Sequence, residues 1–375
     1  MKKKNPMQQQ ETDRPRILIS GGGTGGHIFP ALAIADACRR RFDADILFVG
    51  AEGRMEMEKV PAAGYKIIPL PVAGFNRKNL FKNFSVLLKL RKSMGMAKKI
   101  IRDFKPDIAV GVGGYASGPT LKAAQKAGIP TLLQEQNSYA GVTNKLLAGK
   151  AKAICVAYDG MERFFPADKI IPTGNPVRKS LLAETASPAE ARKSFGLEAD
   201  KPVLLVVGGS LGALTLNESM ENAVKELSEK GVQVIWQTGK SFFPKAEKTA
   251  APLPGIVALP FIPDMGMAYA AATLVVARAG AGTISELELL GKPCILVPSP
   301  NVAEDHQTKN AMALSSKGAA VLLPDAECRS RLLSEVEALI ADRQRLESMS
   351  AAIRNLAMPE SDEKIAYEIG RILGL

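Results

Sequence analysis

Histidine is almost missing from this chain, with two in 375 residues, His27 and His306. A metal site built from several histidines is thereby excluded. Cysteine is scarce as well. The four present (Cys38, Cys155, Cys294, Cys328) are scattered, three of them in apolar surroundings. That gives neither a disulfide frame nor a thiolate metal site, and it suits a reduced, cytoplasmic protein. Aromatic residues make up only 5%, and no motif of an RNA- or DNA-binding module occurs. Nucleic acid is therefore not the expected partner, despite a net charge of +11. No uncharged apolar run approaches the roughly 20 residues that span a bilayer. The opening MKKKNPMQQQETD is basic and then polar, without the apolar stretch of a signal peptide, so residues 1–15 are expected to form a disordered tail.

Glycine-led turns between short apolar runs are abundant. The length suits two domains, and a hydrophobic content of 46% is ample for two cores. Arg16 to Ser20 (RILIS) leads into GGGTGGH, Gly21 to His27, and a helix from about Pro30. Strands are expected near 45–49, 108–112, 130–134, 153–157 and 170–172. Similar runs recur at 203–207, 232–237, 256–259, 273–277, 294–297 and 321–323. Further glycine turns stand at 111–119 (GVGGYASGP), leading to a helix from Thr120, and at 208–213 (GGSLGA). This alternation predicts an α/β protein with two open, mostly parallel sheets facing across a cleft, and ligands at the C-terminal ends of the strands. The string TGNPVR, 173–178, reads as the exit from the first domain. The final helix, after Pro359, reads as crossing back to it.

The stretch Arg278 to Gln307, RAGAGTISELELLGKPCILVPSPNVAEDHQ, carries the strongest local signal. A buried strand ends at Arg278, Gly280 and Gly282 follow, and a helix begins near Thr283. Gly291 and Pro293 stop that helix. Glycines let a ligand approach the backbone, and a helix N-terminus offers N–H groups and a positive dipole end, so a diphosphate could dock there. Glu286 has two readings. Its carboxylate can accept from two ribose hydroxyls, or Thr283-x-x-Glu286 is a capping box that needs no ligand. His27 is a general base facing a cleft, or a turn histidine bonded to backbone. Gly21-x-Gly23-x-x-Gly26 formally fits the dinucleotide fingerprint, but the acid expected at the end of the second strand is represented only by Glu52, slightly late. Asp43-x-Asp45 spells a metal-binding spacing at the entry of the second strand, the end away from ligands, and reads as surface.

The segment Phe75 to Lys105 is the most unusual. Ten lysines or arginines face one acid, Asp103, with Phe75, Phe81, Phe84, Val86, Leu87 and Leu88 interleaved. A basic helix with a broad apolar face lies well on an anionic membrane. The part after Leu90 must also pack, since a strand follows.

Taken in order, GGGTGGHIFPALAIA, GVGGYASGP, EQN-x-x-AG-x-TNK, TGNPVR, GGS-x-GA, QTGK, FI-x-DM and RAGAGTISE…DHQTKNA resemble the MurG family, the membrane-associated N-acetylglucosaminyltransferases of peptidoglycan synthesis. The likeness spans roughly residues 16–375 and is specific because eight modest motifs occur in one order. It implies a GT-B fold: an N-terminal Rossmann-like domain over 16–178 with a return helix at 359–375, and a C-terminal one over 179–358. The implied reaction moves GlcNAc from UDP-GlcNAc to the C4 hydroxyl of MurNAc in lipid I, undecaprenyl-pyrophosphoryl-MurNAc-pentapeptide, with inversion and without metal or other cofactor.

Carried over by position, the resemblance assigns the donor to Ser210, Ile262, Arg278, Glu286, Gln307 and the backbone of Ala281, Gly282, Thr283, Ile284 and Ser285. In the first domain it adds Thr24, Gly25, Gly26, Asn137 and Arg178 to the donor side. His27 and Glu135 become the catalytic candidates, with Tyr115 and Asn144 near the acceptor. Phe75, Lys78, Phe81, Lys82, Phe84, Leu87 and Lys89 match a membrane-docking patch. Anionic lipids and a cell-wall synthesis complex are the implied partners, at the cytoplasmic face of the bacterial inner membrane. One position departs from the family: Gln134 stands where histidine is frequent, so proton transfer is not expected there. The competing readings are a related GT-B transferase acting on another lipid, an NAD-dependent oxidoreductase and a sugar-nucleotide sensor without turnover.

Overall fold

The computed structural model describes residues 14–73, 83–177, 181, 186–209 and 211–375. Most of the expected N-terminal tail, with Phe75, Lys78, Phe81, Lys82, Arg178 and Ser210, lies outside them. The chain divides into two compact units, 1–177 with 360–375, and 178–359.

In the first unit, strands β1 (Arg16–Ser20), β2 (Asp45–Ala51), β3 (Lys66–Leu70), β4 (Ile108–Gly111), β5 (Thr131–Glu135), β6 (Ala153–Val156) and β7 (Ile170–Pro172) form one sheet. Its order is β3-β2-β1-β4-β5-β6-β7, and every pairing is parallel. Parallel strands covered on both faces carry near-continuous apolar runs, as Arg16 to Ser20 does. One face packs against α1 (Gly25–Phe42) and α14 (Ser361–Leu373), whose Ile365, Ala366 and Ile369 join the core around Ile17, Ile19 and Ile34. Arg40 ties the two helices through Asp362 at 3.0 Å and Glu363 at 2.7 Å. The short helix α2 (Glu56–Ala62) follows β2. The other face packs against α3 (Asn83–Phe104), α4 (Ser117–Lys126) and α5 (Val142–Ala148).

In the second unit the order is β10-β9-β8-β11-β12-β13, again all parallel. The strands are β8 (Val203–Val207), β9 (Gln233–Gln237), β10 (Ile256–Leu259), β11 (Leu274–Ala277), β12 (Cys294–Leu296) and β13 (Val321–Leu322). Helix α6 (Pro188–Ser194) precedes them, α7 (Leu214–Glu229) follows β8, and α8 (Phe243–Ala250) and α9 (Met265–Ala271) flank β10. Then come α10 (Ala281–Leu290), α11 (His306–Ser315), α12 (Asp325–Ala341) and α13 (Arg343–Arg354). Trp236 is fully buried in this core and donates its indole N–H to Asn217 Oδ1 at 3.0 Å. Asn217 in turn donates to Thr238 O, holding the turn after β9. No helix among the described residues is long and apolar enough to cross a membrane.

Candidate functional site

Each sheet has one place where the strand order reverses, and the crevice outside the strand ends at such a place is where α/β proteins bind ligands. In the second unit it lies between β8 and β11, with Val207 opposite Ala277. The turns that follow these strands, 208–213 and 278–280, therefore lie side by side. A Cβ on Gly212, at φ +77°, would stand 2.1 Å from Thr238 O. Only glycine lets the turn after β8 lie against the turn after β9, and Gln237 secures it by donating to Gly209 O at 2.8 Å.

Helix α10 starts at Ala281 with Gly280 as its extended N-cap, and no side chain caps it. Its first N–H groups thus carry the partial positive charge of the helix end. Thr283 is the third helical residue rather than the cap, so the capping-box reading of Thr283 and Glu286 is not realised. Instead Glu286, half-buried, accepts from the Tyr269 hydroxyl at 2.9 Å. Tyr269 lies on α9 and is 1% exposed. Ala281, Ile284 and Ser285 are buried, while Gly282 and Thr283 are half-buried, so this turn presents backbone more than side chains.

Arg278 is committed within the protein. It donates to Asp325 Oδ1 at 2.5 Å and to Val297 O and Pro298 O, each at 3.2 Å. Thr215, in the first turn of α7, donates to the other oxygen of Asp325. Asp325 therefore ties the turn at Arg278 and the first turn of α7 to the start of α12. Gln307, on α11, accepts from Ser299 N at 2.8 Å. Just before it the backbone passes through two left-handed residues, Glu304 at φ 56° and Asp305 at φ 51°. Each costs roughly 1–2 kcal/mol in a residue with a Cβ. Nothing in the sequence announces that strain. Ile262 is buried, whereas its neighbour Phe261 is 56% exposed.

In the first unit the reversal lies between β1 and β4, with Ser20 opposite Gly111. Thr24 is the extended N-cap of α1, and Gly25 and Gly26 are its first residues, so the helix begins five residues ahead of Pro30. Pro30 therefore stands inside the helix, one turn past its start, where it forgoes the one bond its N–H would have made to Gly26 O. Thr24 Oγ1 lies 3.0 Å from His27 Nδ1. A Cβ on Gly113 would stand 2.8 Å from His27 Nε2, so the imidazole rests against the second glycine turn. The Thr24 hydroxyl can accept from Nδ1–H or donate to a bare Nδ1, and in the first arrangement the basic lone pair of the ring is on Nε2.

Glu135 ends β5 and is 2% exposed. Its Oε1 accepts from Asn137 N and Nδ2, at 3.2 and 3.3 Å, and its Oε2 from Gly141 N at 3.0 Å and Asn144 Nδ2 at 2.9 Å. Burial pushes its carboxyl above the ordinary range, and these hydrogen bonds oppose the shift. Such a group organises the 136–144 turn from beneath. Asn144 is buried as well, with its Oδ1 unpartnered. Gln134 is fully buried and donates to Asn175 Oδ1 at 2.9 Å, tying β5 to the TGNP string. Tyr115 is 59% exposed.

On α3, Leu88 is 57% exposed and Lys89, Leu90, Arg91 and Lys92 are exposed beside it, whereas Val86 is buried. Phe84 and Leu87 belong to the same helix. Asp43 caps α1 and pairs with Arg14 at 2.6 Å, at the end of β2 away from the strand C-termini. Among the described residues no three His, Cys, Asp or Glu side chains gather as a metal site would require.

The glycosyltransferase family 28 N-terminal domain matches residues 17–156, and the C-terminal domain of the same family matches 203–365. A protein of Bacteroides thetaiotaomicron is 59% identical over 359 residues, covering 94% of this chain and 96% of the relative. It is described as UDP-N-acetylglucosamine--N-acetylmuramyl-(pentapeptide) pyrophosphoryl-undecaprenol N-acetylglucosamine transferase. A Porphyromonas gingivalis protein of the same description is 55% identical, covering 98% of each chain. Among solved structures, the crystal structure of Acinetobacter baumannii MurG is 30% identical with a TM-score of 0.77, covering 95% of this chain and 99% of that one. The calicheamicin glycosyltransferase, at 18% identity and a TM-score of 0.67, shares the fold alone.

Proposed function

Since the chain belongs to glycosyltransferase family 28, and within it to the MurG family, we infer that it is the GlcNAc transferase of lipid II synthesis. It moves GlcNAc from UDP-GlcNAc to the C4 hydroxyl of MurNAc in lipid I. The hydroxyl oxygen bonds to the anomeric carbon as the bond from that carbon to the UDP oxygen breaks. The linkage inverts from α to β, the hydroxyl proton passes to a base, and UDP leaves. The observation that carries the donor half is Glu286, held by Tyr269 one turn above the uncapped N-terminus of α10.

On this reading the first N–H groups of α10 and the turn at 208–213 receive the diphosphate and stabilise charge as it develops on the leaving group. Glu286 takes the ribose hydroxyls. Gln307 takes GlcNAc hydroxyls, and the backbone at Ile262 takes the base. Arg278 acts through Asp325, by fixing the turns. In the first unit, Thr24, Gly25, Gly26 and Asn137 complete the donor side, His27 removes the proton, and Tyr115 and Asn144 lie near the acceptor. The reaction as proposed needs no metal, because helix and turn amides supply the positive potential.

Transfer of labelled GlcNAc from UDP-GlcNAc to a lipid I analogue, with and without EDTA, tests the whole reading. A β-1,4-linked product that persists in EDTA is expected. Product lost in EDTA would require a metal. Binding of UDP-GlcNAc without product would move the search to another acceptor.

We further propose that the start of α3 rests on anionic lipid. Exposed Leu88 and Leu90 among Lys89, Arg91 and Lys92 support this, and so do Val142 and Leu146, 52% and 76% exposed on α5. Each basic residue at an anionic surface contributes about 1 kcal/mol. Replacing Lys78, Lys82 and Lys89 by glutamine should therefore weaken binding to phosphatidylglycerol vesicles by about 100-fold. Turnover of a short-chain soluble acceptor should be unaffected. Vesicle binding equal to wild type would return the segment to a purely structural role.

A further inference from the structure

Glu56 is fully buried at the first residue of α2. Both of its oxygens accept from Gly23 N at 3.0 Å, and Oε1 also accepts from Ala51 N at 2.9 Å. A Cβ on Gly22 would stand 2.1 Å from Oε1, and one on Gly50 would stand 2.7 Å from Cγ. Glycines thus enclose the carboxylate on two sides, and it faces the back of the first glycine turn. A buried carboxylate is costly unless its acceptors are satisfied, so a site that seats one this closely fixes the backbone around it.

The turn so fixed is the one that sets His27. One residue beyond Gly23, Thr24 O accepts from His27 N at 3.1 Å, and Thr24 Oγ1 meets the imidazole at 3.0 Å. On the other side, a Cβ on Gly114 would stand 2.3 Å from Gly22 O, so the second glycine turn leans on the same backbone. We propose that Glu56 is a positioning residue for proton removal: its carboxylate locks the 22–24 backbone and so holds Thr24 and Gly113 against the two sides of the His27 ring. The proposal rests on His27 acting in the transfer reaction.

In Glu56→Gln, equal in shape, an amide oxygen at the Oε1 position can still accept from both Gly23 N and Ala51 N, but the NH2 then stands where Oε2 was, 3.0 Å from Gly23 N, donor against donor. With UDP-GlcNAc and a lipid I analogue, Glu56→Gln should lower kcat by about tenfold or more, the weight of a lost charged hydrogen bond. The donor KM should change less than kcat, since the ribose and diphosphate contacts are assigned to the second unit and the 22–24 turn adds only Thr24 to the donor side. In a His27→Ala background the same change should have no further effect on kcat, because the two residues act as one unit. A wild-type kcat for Glu56→Gln, or an equal loss in both backgrounds, would overturn the proposal. If Glu56→Gln fails to fold, Gly22→Ala drives a methyl onto the carboxylate and carries the same expectation. A wild-type kcat there overturns it equally. Should His27→Ala keep wild-type kcat, the base assignment falls, and this proposal with it. Should His27→Ala be impaired and Glu56→Gln silent, only the positioning role falls.

Discussion

Glu286→Ala should raise the KM for UDP-GlcNAc by about 10- to 100-fold and change kcat little. A hydrogen bond to a charged group contributes about 1.5–3 kcal/mol, and ribose hydroxyls are remote from the bond that breaks. Their contact is the same in ground and transition states, so its loss registers in KM. Tyr269→Phe is the companion variant. It keeps the buried ring and removes only the hydroxyl that orients the carboxylate. A smaller rise of about fivefold in the same constant is expected. Isothermal titration with UDP checks both without the acceptor. Unchanged UDP affinity in Glu286→Ala would remove the ribose assignment and leave the carboxylate as a structural partner of Tyr269.

The second large effect is expected at the other chemical step. His27→Ala should lower kcat by about 10²- to 10⁴-fold, the range for a general base, with the donor KM near wild type. Its Nδ1 is engaged by Thr24 Oγ1, which holds the ring in place, so the effect should not be shared by the half-buried His306 at the start of α11. Steady-state kinetics at saturating donor measures it. A His27→Ala enzyme with undiminished kcat would place the base elsewhere in the first unit.

Much of the fold is legible in the residues because buried parallel strands are written as short apolar runs. Val203 to Val207 and Leu274 to Ala277 stand where the runs do. The αL stop of α10 at Gly291, φ 61°, is equally visible. Helix starts are not. Apolar periodicity points to helices from about Pro30, Thr120 and Thr283, whereas they begin at Gly25, Ser117 and Ala281. The missed stretch opens in each case on a small residue, Gly25, Ser117 or Ala281, whose side chain is too slight to mark an apolar period. Long-range bonds are hidden for a different reason. Glu56 lies 33 residues from Gly23, and its neighbour Glu52, the acid that spacing would favour, is exposed. Glu135 stands in a recognisable string, yet only the coordinates reveal that the turn it belongs to folds over it. Tyr269 overturns the capping box at Glu286 in the same way, by supplying a partner 17 residues back.

The return of the last helix to the first unit bears on how the protein is made. Synthesis delivers residues 14–177 before 178–359, but their α1 face is closed by Ile365, Ala366 and Ile369, which are made after both. The middle of the chain, 178–359, is contiguous and has a sheet and core of its own. The nascent first unit therefore carries an uncovered apolar stripe throughout the synthesis of the second, and the later-made half is the first that can be complete. Synthesis of the last helix, rather than emergence of the N-terminal sequence, sets the moment at which the first unit is finished.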